Sequence, residues 1–105
     1  MVEVPTTGTL PHRQLHDLLT DMGFYVEDEA RFGKYAIDCY VAELHLGFEA
    51  DGQPYHSGPR TKRRDRFRDE WLSDVAHLPI CRVTDTDLRN TEAREATEKR
   101  IRAFI

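Results

Sequence analysis

Two different spacings of apolar residues divide the chain into helical and extended segments. The first helical segment has four apolar residues on one face: Leu15, Leu18, Leu19 and Met22. Thr9 is a suitable N-cap for this helix, Pro11 is tolerated in its first turn, and Gly23 suits the position after its last turn. The pattern therefore predicts a first helix that ends just before Gly23.

Residues 24–52 alternate with the period of two that is typical of strands. We predict a short strand over Phe24–Val26, a polar connection through Arg31 and Gly33, and a hairpin of Tyr35–Val41 with Leu44–Asp51. The residues of the second strand expected to face the core are Tyr35, Ile37, Cys39 and Val41. In the third strand, the apolar face is formed by Leu44, Leu46, Phe48 and Ala50. Both strands thus leave a polar face on the other side.

In the second half of the chain, the sequence pattern predicts a helix, a strand and a helix, which follow a loop rich in Gly and Pro. The helix runs from about Thr61 to Ala76, the strand covers Pro79–Val83, and the last helix begins within 85–91. The buried stripe expected for the first of these helices is Phe67, Trp71, Leu72 and Val75. The order α-β-β-β-α-β-α predicts an α/β or α+β fold with a mixed four-stranded sheet flanked by helices. We expect residues 1–9 to form a loose lead-in to a single domain over residues 10–105.

Composition narrows the class of protein. The chain has 105 residues, of which 39% are hydrophobic, enough for one core. No apolar run approaches the roughly 18 residues of a membrane span, and no signal segment opens the sequence. Cys39 and Cys81 are far apart and fit neither a zinc-finger spacing nor a dense disulfide framework. We therefore expect an intracellular, cytoplasmic protein, with both cysteines acting as small buried hydrophobes.

Charge is unevenly distributed along the chain. Residues 60–68 contain six basic residues and one acidic residue, whereas the whole chain has a net charge of −4. The remainder of the chain therefore carries −9. A basic helix on an otherwise acidic body indicates a polyanionic partner, although a solvated helix face is the plainer interpretation.

Three carboxylates lie on the polar face of the predicted hairpin. They are Asp38 on the second strand and Glu49 and Asp51 on the third. A tight turn at 42–43 places Asp38 opposite Gly47, with Glu49 as its diagonal neighbour. A register shifted by two residues places Asp38 directly opposite Glu49, whereas a slip by one separates them onto opposite faces. Both of the first two registers bring two carboxylates within reach of one ion.

Closely spaced carboxylates repel unless a cation neutralises them or one is protonated. Oxygen donors without clustered imidazole or sulfur suit a hard cation, Mg²⁺ or Mn²⁺. Such a cation beside a basic helix is the arrangement that phosphodiester hydrolysis requires. The plainer alternative is that these acids only form the solvent-exposed face of a half-exposed sheet.

The same residues resemble a known superfamily. Residues 35–40 (YAIDCY), residues 46–52 (LGFEADG), His56 and the basic helix at 62–72 are similar to the PD-(D/E)XK, or restriction-like, nucleases. Within that superfamily they most resemble the branch related to very-short-patch-repair endonucleases. The resemblance spans roughly residues 12–88, and the strand at 80–83 followed by Thr84 and Asp85 also fits. It implies the restriction-endonuclease-like fold.

The resemblance also implies roles for individual residues. Asp38 and Glu49 would bind the metal together with the Ala50 carbonyl, and Asp51 stands where the superfamily has its lysine. His56 would assist the attacking water or contact the scissile phosphate. The residues that would contact nucleic acid are Arg60, Lys62, Arg63, Arg64 and Arg66; of these, Lys62, Arg63 or Arg64 could take over the task of the missing lysine.

The first helix departs from the family pattern. Relatives often carry a Glu there that faces the metal, whereas this sequence offers His12, His16 or Asp17 as substitutes. Either one of these three residues replaces the Glu or the metal site is weaker than that of the relatives.

Three hypotheses about function follow. The leading one is a Mg²⁺-dependent DNA endonuclease, with Mn²⁺ as a substitute, that nicks one strand per active site. The alternatives are a nuclease-fold module that binds nucleic acid without cleaving it, and a protein-interaction or assembly factor. Because we identify no separate specificity module, specificity would come from loops or a partner protein, and cleavage of both strands would need a homodimer or a second event.

Overall fold

The computed structural model of the protein describes residues 10–51 and 59–105, apart from the side chains of 59–62. The helices and strands follow each other in the predicted order. They are α1 (Leu10–Asp21), β1 (Glu27–Phe32), β2 (Tyr35–Val41), β3 (Leu46–Asp51), α2 (Pro59–Asp74), β4 (Ile80–Thr84) and α3 (Thr91–Phe104), with a 3₁₀ turn at Thr86–Leu88 before α3. The predicted α+β fold is confirmed. Within the described ranges, no helix has the length and apolar character needed to cross a bilayer.

The four strands form one mixed sheet in the order β1-β2-β3-β4. The first three strands are antiparallel neighbours, whereas β4 lies parallel to β3 because the chain returns through α2 before entering it. Strands β2 and β3 pair Val41 with Leu46 and Cys39 with Phe48 across a four-residue turn. Continuing this register by one position brings Asp38 opposite Glu49, which is the shifted register of the two considered above.

Two clusters of buried residues cover opposite faces of the sheet. The larger cluster packs α1 and α3 against the sheet and includes Leu15, Leu19, Cys39, Phe48 and Ile101. The smaller cluster consists of Ile37, Leu72 and Leu78. Phe48 belongs to the larger cluster, whereas a Cβ atom on its neighbour Gly47 would point at the smaller one. Since neighbouring residues of a strand point to opposite faces, the two clusters lie on opposite sides of the sheet.

The predicted alternation of β2 is wrong at one position. Ile37 is buried as expected, but in the smaller cluster, across the sheet from Cys39 and Val41. The change of face occurs at Asp38. Its partner position in β1 is Glu29, which has a left-handed φ of 54° and interrupts the regular pleat.

The first strand lies further along the chain than predicted. It begins at Glu27 and includes Arg31, whereas Phe24–Val26 is not a strand. Phe24 and Val26 instead pack at the edge of the larger cluster, and Tyr25 between them is 76% exposed. β1 is an edge strand that is held by backbone pairing to β2 and is largely polar and exposed. Its sequence therefore lacks the alternation of apolar and polar residues by which a strand is predicted.

The predicted buried stripe of α2 is half correct. Leu72 is fully buried and Trp71 packs against the smaller cluster, whereas Phe67 is 65% exposed and Val75 is 58% exposed. Tyr35, expected in the core, is half-buried, with its ring 5.5 Å from that of Trp71. The contact of α2 with the sheet is thus narrower than the apolar pattern indicates.

The close approach of Trp71 to Gly33 gives a stability prediction. Gly33 has a φ of 62°, and a Cβ atom there would lie 2.5 Å from Cη2 of Trp71. Gly23 also has a positive φ, of 99°, but faces open space. We expect Gly23→Ala to cost about 1–2 kcal/mol from backbone strain alone, and Gly33→Ala to cost clearly more.

Urea unfolding followed by the fluorescence of Trp71, the single tryptophan, measures both losses. Equal losses for the two variants would show that Trp71 does not pack over the β1–β2 turn.

Candidate metal centre

Asp38 and Glu49 are joined across β2 and β3 by side chain to backbone hydrogen bonds. The Asp38 N–H donates to Oε2 of Glu49 at 3.2 Å, and the Ala50 N–H donates to Oδ2 of Asp38 at 2.9 Å. Each carboxylate thus accepts from the backbone of the opposite strand, just beyond the last regular pair, Cys39 with Phe48. This reciprocal arrangement fixes both side chains relative to the sheet.

Asp38 also meets residues from α1 and β1. One ligand atom each of His12, Glu29 and Asp38 lies within 4.8 Å of the other two. His12 is buried at the start of α1, with its Nδ1 3.7 Å from Oε2 of Glu29. The left-handed backbone of Glu29, unusual for a residue with a side chain, occurs at this cluster. His12 is therefore the first-helix candidate that the structure brings to Asp38.

The second partner of Glu49 is Arg68 of α2. Its Nη2 donates to Oε2 of Glu49 at 2.8 Å and to the Ala36 carbonyl at 3.0 Å. The side chains of Arg68 and Glu49 are only 18% and 16% exposed. The resemblance assigns the task of the missing lysine to Lys62, Arg63 or Arg64, whereas the arginine that donates a hydrogen bond to Glu49 is Arg68. Both the rotation of α2 about its axis and the position of Arg68 along it bring this residue to Glu49, because Arg64 shares its face one turn earlier.

Burial and the neighbouring charge of Arg68 shift the pKa of Glu49 in opposite directions. Burial raises the pKa of its carboxyl group above the usual value, and the charge of Asp38 raises it further. The hydrogen bond and the positive charge of Arg68 lower that pKa, but burial prevails and the pKa is raised. Burial likewise raises the pKa of the Cys39 thiol, and the nearby charges of Asp28 and Asp38 add to the increase.

The remaining predicted site residues have different positions. Ala50 contacts Asp38 through its N–H, and Asp51 ends β3 as an exposed residue. Asp17 is exposed on α1, and His16 contacts Asp28 rather than Asp38, with Nδ1 3.0 Å from Oδ1. His56 lies outside the described residues.

The predicted nucleic-acid contacts all fall on α2 or its first turn. Arg63, Arg64 and Arg66 are exposed, whereas the side chains of Arg60 and Lys62 lie outside the described part of the chain. Arg64 is one helical turn before Arg68 and lines the same 860 Å³ cavity between α2 and the β1–β2 turn. The exposed arginines therefore continue from the Glu49 contact along α2.

The donor atoms around Asp38 suit a divalent cation. Metal–ligand distances of about 2.0–2.6 Å allow donor atoms up to roughly 4–5 Å apart to share one ion. The atoms of His12, Glu29 and Asp38 fall within that limit. Two carboxylates with one imidazole are compatible with Mg²⁺ or Mn²⁺.

Comparisons with known proteins bear on the fold. No protein-family model matches the chain, and no curated protein matches it. Among solved structures, the chain is similar to the catalytic domain of the homing endonuclease I-Bth0305I, with a TM-score of 0.73. The match has 16% sequence identity and covers 92% of this chain and 94% of that one. At this identity the likeness shows a shared fold over nearly the whole chain.

The raised pKa of Glu49 predicts a pH-dependent difference in stability. A carboxyl group whose pKa is raised in the folded state favours folding most when protonated, below about pH 4. That contribution is lost as the pH rises through the folded-state pKa. We therefore expect the wild type to lose stability relative to Glu49→Gln as the pH rises above about 4.

Urea unfolding of both proteins at each pH, without divalent cations, measures this difference. A wild type that gains stability relative to Glu49→Gln with rising pH would show that Arg68 outweighs burial.

Proposed function

We propose that this protein is a metal-dependent endonuclease that hydrolyses phosphodiester bonds of DNA and nicks one strand per active site. The observation that carries this proposal is the fixed pair of Asp38 and Glu49 beside a helix rich in arginine. The shared fold with the catalytic domain of a homing endonuclease supports the same activity.

Asp38 and Glu49 are the residues that we assign to the cation, with the Ala50 carbonyl. The two hydrogen bonds described for Glu49 are made by Oε2, so Oε1 is the atom assigned to the ion. His12 and Glu29, whose ligand atoms lie within 4.8 Å of that of Asp38, are the further donors that we assign, with His12 in place of the first-helix Glu of the very-short-patch-repair-like branch. Mg²⁺, or Mn²⁺ in its place, supplies polarisation of a phosphoryl oxygen and lowers the pKa of a bound water.

Arg68 has a positioning role in this proposal. By donating to Glu49 and to the Ala36 carbonyl, it ties α2 to β2 and β3 and fixes one carboxylate oxygen. Its charge also keeps Glu49 closer to its ionised, ligand-competent form than burial alone would allow. This is the electrostatic task that we assign to Arg68 in the absence of the superfamily's lysine.

The exposed face of α2 holds the DNA backbone. We assign phosphate contacts to Arg63, Arg64 and Arg66, and to Arg60 and Lys62 at the start of the helix. His56 assists the attacking water or contacts the scissile phosphate, and Asp51 borders the site at the end of β3. Contacts to phosphates carry no base information, so a homodimer or a partner protein would supply sequence specificity.

Nicking of supercoiled plasmid in the presence of Mg²⁺ or Mn²⁺ tests the activity. We expect Asp38→Asn to nick at least about 100-fold more slowly, because a cation ligand and the acceptor of the Ala50 N–H both change. Asp21→Asn, at an exposed position at the end of α1, is the matched control and should nick like the wild type. Equal nicking by Asp38→Asn, or nicking that persists in a chelator, would contradict the proposal.

The assignment of the α2 arginines predicts the salt dependence of DNA binding. Replacing Arg63, Arg64 and Arg66 with Gln should weaken binding and reduce the slope of log affinity against log salt by about 0.9 for each lost phosphate contact. The control is Arg89→Gln with Arg102→Gln, which removes exposed charges near and within α3. Fluorescence anisotropy with a labelled duplex measures both slopes. Equal reductions in the two variants would show that α2 has no special role.

A further inference from the structure

A second group of possible metal ligands adjoins the one at Asp38. One ligand atom each of His12, Asp28 and Cys39 lies within 4.8 Å of the other two. The three residues come from α1, β1 and β2, so no metal-binding motif in the sequence indicates this group. His12 and Cys39 are buried, whereas the side chain of Asp28 is 37% exposed and gives the group an opening to solvent.

The two distances from Asp28 are close to those of a four-coordinate zinc site, and all three ligand atoms lie within 4.8 Å of one another. Oδ1 of Asp28 lies 3.1 Å from Nε2 of His12 and 3.8 Å from Sγ of Cys39. Zinc bonds of about 2.0–2.3 Å at tetrahedral angles place ligand atoms roughly 3.3–3.6 Å apart. An ion could therefore be accommodated by shifts of a few tenths of an ångström, well within the reach of side-chain rotation.

The donor types distinguish this group from the one at Asp38. Imidazole, carboxylate and thiolate together favour a borderline or soft cation such as Zn²⁺ over Mg²⁺. We propose that His12, Asp28 and Cys39 form a zinc-binding site, with the fourth position open to water. On binding, the Cys39 thiol proton passes to solvent, and the thiolate takes its place as ligand.

His12 makes the two cation sites exclusive. Its Nε2 faces Asp28 and its Nδ1 faces Glu29. A neutral imidazole has one acceptor nitrogen, so His12 can ligate a cation through only one of them at a time. Zinc at Nε2 leaves the proton on Nδ1, pointing toward Glu29, and withdraws His12 from the cation at Asp38. This competition rests on the proposed function, whereas zinc binding itself does not.

Cobalt substitution tests the site without any nuclease assay. Co²⁺ bound to a thiolate has an intense charge-transfer band in the near ultraviolet, which carboxylates and imidazoles alone do not produce. We expect the wild type to show this band, Zn²⁺ to abolish it by displacement, and Cys39→Ser to lack it. Cys81→Ser, which alters the other buried cysteine, is the matched control and should keep the band.

A second variant covers the case in which Cys39→Ser does not fold. Asp28→Asn changes a partly exposed side chain and should weaken Co²⁺ binding at least about 10-fold while the band remains at saturation. The site is refuted if the wild type shows no band, if the band survives in folded Cys39→Ser, or if Asp28→Asn binds Co²⁺ like the wild type. A protein that shows the band but does not nick DNA refutes the nuclease and leaves the zinc site intact.

Discussion

The reciprocal hydrogen bonds between β2 and β3 are the constraint on which the candidate site depends. They hold the carboxylates of Asp38 and Glu49 on the backbone of opposite strands, at the point where regular pairing ends. Placing two acids so close is unfavourable unless positive charge compensates. Arg68 supplies part of that charge to Glu49, and His12 approaches Asp38 from the other helix. The sheet thus presents an acidic pair whose remaining repulsion favours a bound cation.

The alternation along β3 could be predicted because two-residue periodicity is a strong signal, although the face opposite Phe48 also carries a buried apolar cluster. It placed Glu49 on the face opposite Phe48 and allowed the register that brings Asp38 beside it. It failed at Asp38 itself, where the left-handed Glu29 interrupts the pleat and sends Ile37 to the other face. A local backbone irregularity of this kind leaves no trace in apolar spacing.

Tertiary contacts explain the other differences between prediction and structure. β1 is stabilised by pairing along an edge, so its acidic sequence did not predict a strand. The position and rotation of α2 on the sheet bring Arg68 to Glu49 and leave Phe67 exposed, although both lie in one basic segment. Likewise, His12, Asp28 and Cys39 are brought together only by the packing of α1 on the sheet. The sequence thus indicated which kinds of residue form the candidate site better than it indicated which of them contact one another.

The central claim is that a divalent cation binds at Asp38 and Glu49. Paramagnetic Mn²⁺ broadens the amide signals of nearby residues in an NMR spectrum, and at substoichiometric amounts it reports the preferred site. The account predicts that the amides of Asp38 and Ala50 broaden first and that Asp38→Asn abolishes this preference. Broadening that begins instead at the acidic residues of α3, such as Glu92 and Glu95, would contradict it.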